Sequence, residues 1–142
     1  MEISGWCPAG GWAEDYPESP GLITEYPELA ETPSADPAQR TEWNVRDSDA
    51  TLVIAPSSTD GVAVSPGTAL TLELAARYGK PSMVISEGSA EEVTKVMDWL
   101  AKQGRGLVLN VAGPRESESP GTYRLAFDVV SALLSKVSSR PR

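Results

Sequence analysis

From residue 50 onward, the apolar positions alternate between short continuous runs and helical stripes. Thr51-Leu52-Val53-Ile54-Ala55 is a β-branched-rich run with polar ends, which predicts a buried strand. Ser82–Ile85 and Leu107–Val111 repeat that signature. Between them, Thr68–Tyr78 reads as a helix stopped by Gly79, with Pro81 opening the next segment. Ser89 with Glu92 three residues later has capping-box spacing, and Val93, Val96, Met97 and Leu100 then fall on one helical face. A last helix over roughly 121–137 sets Tyr123, Phe127, Val130, Leu134 and Val137 on one stripe, with Ala126 and Leu133 beside them.

Strands alternating with helices predict an α/β fold: a Rossmann-like parallel sheet of three to four strands, with helices on both faces and right-handed crossovers. Upstream the pattern changes. Residues 5–38 are rich in Gly and Pro and read as irregular, with a short strand expected at Leu22-Ile23-Thr24 and a short helix following over Ala38–Arg46. Trp6 and Trp12 argue that this segment packs on something. The chain therefore reads as one ligand-binding domain over 1–142, an irregular acidic segment (1–49) followed by an α/β core (50–142). So thin a sheet needs its edge completed by the N-terminal segment or covered by a partner subunit.

Charge sharpens that division. The 142 residues carry a formal charge of -8. Residues 1–49 hold eleven acids against Arg40 and Arg46, while the remainder is nearly balanced. Such a distribution opposes attraction of nucleic acid or an anionic membrane, but not of a small anion held in the near-neutral part. There is no histidine, which excludes His-based triads and the common zinc sites and leaves acid–base work to Asp, Glu or Tyr. Cys7 is the single cysteine and has no histidine partner to make it a nucleophile. With no signal-peptide pattern or membrane-length apolar run, the expected location is cytoplasmic.

In parallel sheets ligands bind beyond the carboxyl ends of the strands. Three segments leave such ends, and 56–67 and 112–121 are the longer and richer in Gly, Pro and Ser. Ser65-Pro66-Gly67-Thr68 offers the Gly67 and Thr68 amides and the Thr68 or Thr71 hydroxyl to an anion; its plain alternative is a solvent-facing turn. It lacks the lysine of a P-loop. Gly113-Pro114-Arg115-Glu116-Ser117 carries a guanidinium suited to phosphate or carboxylate, unless Arg115 merely pairs with Glu116 or Glu118. The polar cluster from Arg40 to Asp49 is either a solvated helix end or a lobe bringing Arg40 to an anion and Asp47 or Asp49 to a hydroxyl. Carboxylates near a phosphate are compatible with magnesium, though no spacing demands it.

These pieces, in order, are Gly5-Trp6-Cys7-Pro8 with Ala13-Glu14-Asp15, Arg40-Thr41-Glu42, Asn44 to Asp49, Ser65 to Thr71, Gly79-Lys80-Pro81 and Leu109 to Ser117. The ordered set resembles the molybdenum carrier protein family, a circularly permuted branch of the SLOG group of Rossmann-like ligand-binding domains. The resemblance implies an often oligomeric protein, dimer or tetramer, that binds a phosphorylated, nucleotide-like or pterin-like ligand such as the molybdenum cofactor. It also implies contacts from Gly67, Thr68, Thr71 and the Gly113–Ser117 loop (Gly113, Arg115, Glu116, Ser117), with Arg40 and Asp49 as additions. The chain departs from the family pattern in two places. Relatives carry a strand, a glycine-rich loop and a helix ahead of the Gly-Trp-Cys-Pro segment, and Pro66 stands where they carry glycine, removing an amide donor.

The leading expectation is a non-catalytic binding or carrier protein for a phosphate-bearing small ligand. The alternative is a nucleotide-processing N-glycosidic hydrolase of the phosphoribohydrolase type, for which a carboxylate near the anomeric carbon is needed. Glu73, five residues after Thr68, is the residue placed for that role.

Overall fold

The computed structural model describes residues 1–56 and 65–139, with side chains to residue 137; most of the loop leaving the first core strand therefore lies outside the described residues. Ten elements follow in order: β1 (Gly5–Cys7), α1 (Leu22–Glu25), β2 (Leu29–Glu31), α2 (Pro37–Arg46), β3 (Ala50–Ile54), α3 (Pro66–Arg77), β4 (Ser82–Ile85), α4 (Ala90–Lys102), β5 (Leu109–Ala112) and α5 (Thr122–Ser139). The fold is α/β and Rossmann-like, as the alternating pattern predicts.

All strand pairs are parallel. β3 is the centre of a three-strand sheet ordered β4-β3-β5, and β1 pairs with β2 in a separate two-strand sheet. Every residue of β3 is buried, which explains its uninterrupted apolar run: helices cover both of its faces. Leu52, Ile54 and Ile85 pack on one side against Val93, Val96 and Met97 of α4 and Val129 and Leu133 of α5. The second cluster joins helices, with Val45 of α2 against Leu74 and Ala75 of α3.

The helix starts follow local chemistry. Ser65 caps α3, accepting from the Thr68 amide at 3.2 Å, with Pro66 in the first helical position where its missing N–H costs nothing. Ser89 caps α4 through the Glu92 amide at 3.2 Å. Glu92 does not return the bond to residue 89. Its carboxylate instead collects the Ser86, Glu87 and Gly88 amides at 3.2, 2.8 and 2.7 Å, closing the whole β4–α4 turn.

The N-terminal segment holds the main correction. Leu22-Ile23-Thr24 forms one helical turn, α1, where a strand was expected. Three residues are too few to specify a strand without a neighbour, and Gly11 and Gly21 pin the turn instead. Both glycines have positive φ, and a Cβ on Gly11 would lie 2.0 Å from the Pro20 carbonyl oxygen. The strands of this region are β1 and β2, which the Gly/Pro-rich sequence conceals.

The α5 stripe also departs from a core-facing reading. The buried face consists of Val129 and Leu133 with Leu125, Ala126, Val130 and Ala132 packed beside them. Tyr123, Phe127, Leu134 and Val137 are exposed.

Candidate functional site

β3 and β5 are adjacent and parallel, so the segments leaving their carboxyl ends emerge at the same sheet edge. Gly113 follows β5 there and passes tightly over the end of β3. A Cβ at that position would sit 2.3 Å from the Ile54 carbonyl oxygen. Beyond it the chain turns: the Arg115 amide donates to Glu118 Oε1 at 3.1 Å, and the Arg115 carbonyl accepts from the amides of residues 118 and 119, both at 3.0 Å. Glu116 accepts from the Gly121 and Tyr123 amides at 2.9 and 3.2 Å, capping α5. Those backbone donors hold its carboxyl below the usual range. Ser117 donates through its amide (3.3 Å) and its hydroxyl to the Glu14 carboxylate, tying this loop to the N-terminal segment.

This tie brings Arg115 to Trp12, with the guanidinium 5.0 Å from the centre of the indole. Both border a cavity of about 490 Å³ whose wall also includes Ala9, Gly10, Pro17, Ser19, Ala35 and Pro37. Pro37 opens α2, and Arg40 lies three residues on. Burial lowers the Arg40 guanidinium pKa, and the neighbouring charge of Arg115 lowers it further. Among the described residues neither guanidinium has a carboxylate partner or donates a hydrogen bond; the ion pairs there involve Arg46, Arg77 and Arg124. Two cations whose charges act against each other, neither neutralised and one of them bordering the cavity, form an arrangement that an anion relieves.

The remaining predicted residues divide. Gly67 lies exposed in the first turn of α3. Thr68 and Thr71 are buried, and their side chains already have partners: Ser65 Oγ with Thr68 Oγ1 at 2.9 Å, and Thr71 Oγ1 donating to the Gly67 carbonyl at 2.9 Å. Asp49 stands at the opposite end of the sheet, just before β3. It accepts from the Val108 amide at 2.8 Å while its own amide donates to the Val108 carbonyl, also at 2.8 Å. It thus sets the register of β5 and stands apart from the two arginines. Glu73 is exposed and paired with Arg77 one helical turn on, at 2.7 Å. Among the described residues no group of three or more His, Cys, Asp or Glu side chains is placed to hold a metal.

Much of the Arg40–Asp49 cluster is structural. Asn44 Oδ1 accepts from the Trp6 amide, Asp47 accepts from Trp6 Nε1 at 2.8 Å, and the Trp6 and Trp43 rings meet edge to face at 4.7 Å. Lys80 was missed as a contributor. Its ammonium donates to the carbonyls of Val45 (3.3 Å), Arg46 and Ser48 (2.5 Å), closing the carboxyl end of α2. Only its place in Gly79-Lys80-Pro81, right after a helix, hinted at this.

The fold is that of a Rossmann-like α/β protein. The model of the circularly permutated YpsA SLOG family matches residues 1–134, and the chain belongs to that family. A crystal structure of a "putative molybdenum carrier protein" from Syntrophus aciditrophicus is similar, with 34% identity and a TM-score of 0.77. The match covers 92% of this chain and 78% of that one. No curated protein matches. Among the described residues no helix is long and apolar enough to cross a membrane.

Proposed function

We propose that this protein is a cytoplasmic carrier that binds a phosphate-bearing small molecule, with the anionic group held between Arg40 and Arg115. The observation that carries this reading is that the charge of Arg115 bears on the half-buried Arg40 guanidinium while neither has a compensating carboxylate. An electropositive pair of this kind costs stability in the free protein and is retained where a ligand offsets the cost. Trp12 and the largely apolar cavity wall provide a surface for the remainder of the ligand. Gly67, Thr68, Thr71, Gly113, Glu116 and Ser117 complete the proposed edge: Gly67 through its amide, Glu116 and Ser117 by shaping the loop that carries Arg115.

The name of the Syntrophus protein supports molybdenum cofactor as cargo, and a nucleotide monophosphate has the same anionic handle. The donor set fits the phosphate of either. Arg40 and Arg115 would hold it, and the metal of the cofactor would supply oxygen-atom chemistry to whichever enzyme receives it. Two charge-assisted contacts of about 1.5–3 kcal/mol each support micromolar affinity after ordering costs. The N-glycosidic hydrolase alternative loses support, since Glu73 is engaged by Arg77 on an exposed helix face.

Isothermal titration with inorganic phosphate, molybdate and a nucleoside monophosphate tests the reading. Binding of at least one, weakened tenfold or more by Arg40→Met and by Arg115→Met separately, is expected. Equal binding by wild type and both variants overturns it.

A further inference from the structure

Two contacts fasten the loop after β5 to the N-terminal segment. The Arg115 guanidinium lies over the Trp12 indole, and Ser117 donates through both its amide (3.3 Å) and its hydroxyl to the Glu14 carboxylate. On each segment the two partners are two residues apart, so the second contact limits how far the first can open. Glu14 is itself fixed. It stands at the tip of a tight turn closed by Ala13 and Tyr16, whose amides donate to each other's carbonyls at 3.2 and 2.9 Å. Arg115, by contrast, is exposed, and a cation over an indole at an exposed site is held weakly. With that contact alone, the guanidinium and its loop would have to be ordered whenever an anion arrived, and the lost freedom would oppose binding.

Glu14 has the wrong sign for a direct role there. A carboxylate on the flank of an anion site repels the anion, so charge alone would favour its removal. We propose that Glu14 is a positioning residue: by gripping Ser117 it keeps the Arg115 guanidinium against Trp12 on the cavity wall, set to receive the anionic group, a role that rests on the anion-binding reading of that cavity. Two charge-assisted bonds to one carboxylate give the grip its direction. Glu14 then acts on the ligand through Ser117 and Arg115.

The sign of the effect separates positioning from simple charge. When the full chain is titrated with inorganic phosphate and with a nucleoside monophosphate, Glu14→Ala should weaken binding about fivefold, although it removes a repelling charge. Ser117→Ala keeps that charge and the amide bond and should weaken binding less. The double variant should bind like Glu14→Ala, because both substitutions cut one contact. A second measurement needs no ligand. The Arg115 Nε–H resonance, identified by its loss in Arg115→Met, should be displaced by the indole ring current in wild type and return toward its random-coil position in Glu14→Ala. The other arginine resonances should stay in place, which a general loosening of the fold would not allow. Glu14→Ala protein that binds as well as wild type, or more tightly, overturns the proposal, and so does an Arg115 resonance that the substitution leaves unmoved. Wild-type protein that binds neither anion defeats the carrier reading instead, and the grip of Glu14 on Arg115 is then decided by the resonance alone.

Discussion

Asn44 of α2 holds both backbone groups of Trp6 in β1: the Trp6 amide donates to its Oδ1 at 2.8 Å and its Nδ2 donates to the Trp6 carbonyl at 3.1 Å. One side-chain amide thus takes the place of a neighbouring strand, fastening the two-strand sheet to the helix that carries Arg40. The first turn of α2 carries Arg40, on which the charge of Arg115 acts, and its last turn anchors the N-terminal segment.

Asn44→Ala should cost about 2 kcal/mol, because two partly buried backbone groups lose their partners. Thermal or urea unfolding checks this. Asn44→Asp, which keeps the acceptor but not the donor, should fall between wild type and alanine. Loss below a few tenths of a kcal/mol would mean that water replaces the clamp freely.

Arg40→Met should act in opposite directions on stability and binding. Removing a desolvated cation on which the charge of Arg115 acts should raise unliganded stability by about 1 kcal/mol, while anion binding weakens tenfold or more. Paired unfolding and titration measurements separate the two effects. A variant that is less stable than wild type would show that Arg40 has a structural partner.

Glu92 provides the pH dependence. Burial raises its pKa, but the Glu87, Ser86 and Gly88 amides outweigh that and hold it below the ordinary carboxylate value. A carboxyl whose folded pKa is depressed stabilises the fold above its unfolded pKa, and that contribution fades as pH falls through the folded value. Glu92→Gln should therefore be about 1–2 kcal/mol less stable near neutrality, with the gap to wild type closing in acid. Chemical denaturation across a pH series reads the gap directly; a constant difference at all pH values would contradict this account.

Gly113→Ala should be destabilising by about 2 kcal/mol or more and should weaken anion binding, because the added carbon meets backbone and not a movable side chain. The Gly121→Ala change, at a positive φ with nothing within 4 Å, serves as the contrast. It should strain the turn without displacing Arg115. Comparable binding loss in both variants would mean that the loop tolerates neither for reasons unrelated to the approach to Ile54.

The three core strands and the four longer helices were legible because each is specified locally. Thr51–Ala55 carries its burial in its composition, and Ser65 and Ser89 mark helix starts whose caps the structure contains. Arg40 and Arg115 were also nominated as anion ligands from residue type and position. Asp49 was nominated with them, although its carboxylate reaches across to Val108, 59 residues away, at the amino end of the sheet. β1 and β2 escaped notice because three-residue strands among prolines and glycines have no periodicity to read.

By itself the sequence determined the α/β alternation, the caps, and the apolar spacing of α5, since these depend on neighbours within a few residues. The tertiary structure alone decided which face of α5 the core takes, that Asn44 and Lys80 fasten α2, and that the charge of residue 115 bears on residue 40. Such contacts join positions far apart in the chain. Their chemistry is visible in the residue types, but their pairing exists only once the sheets and helices have packed.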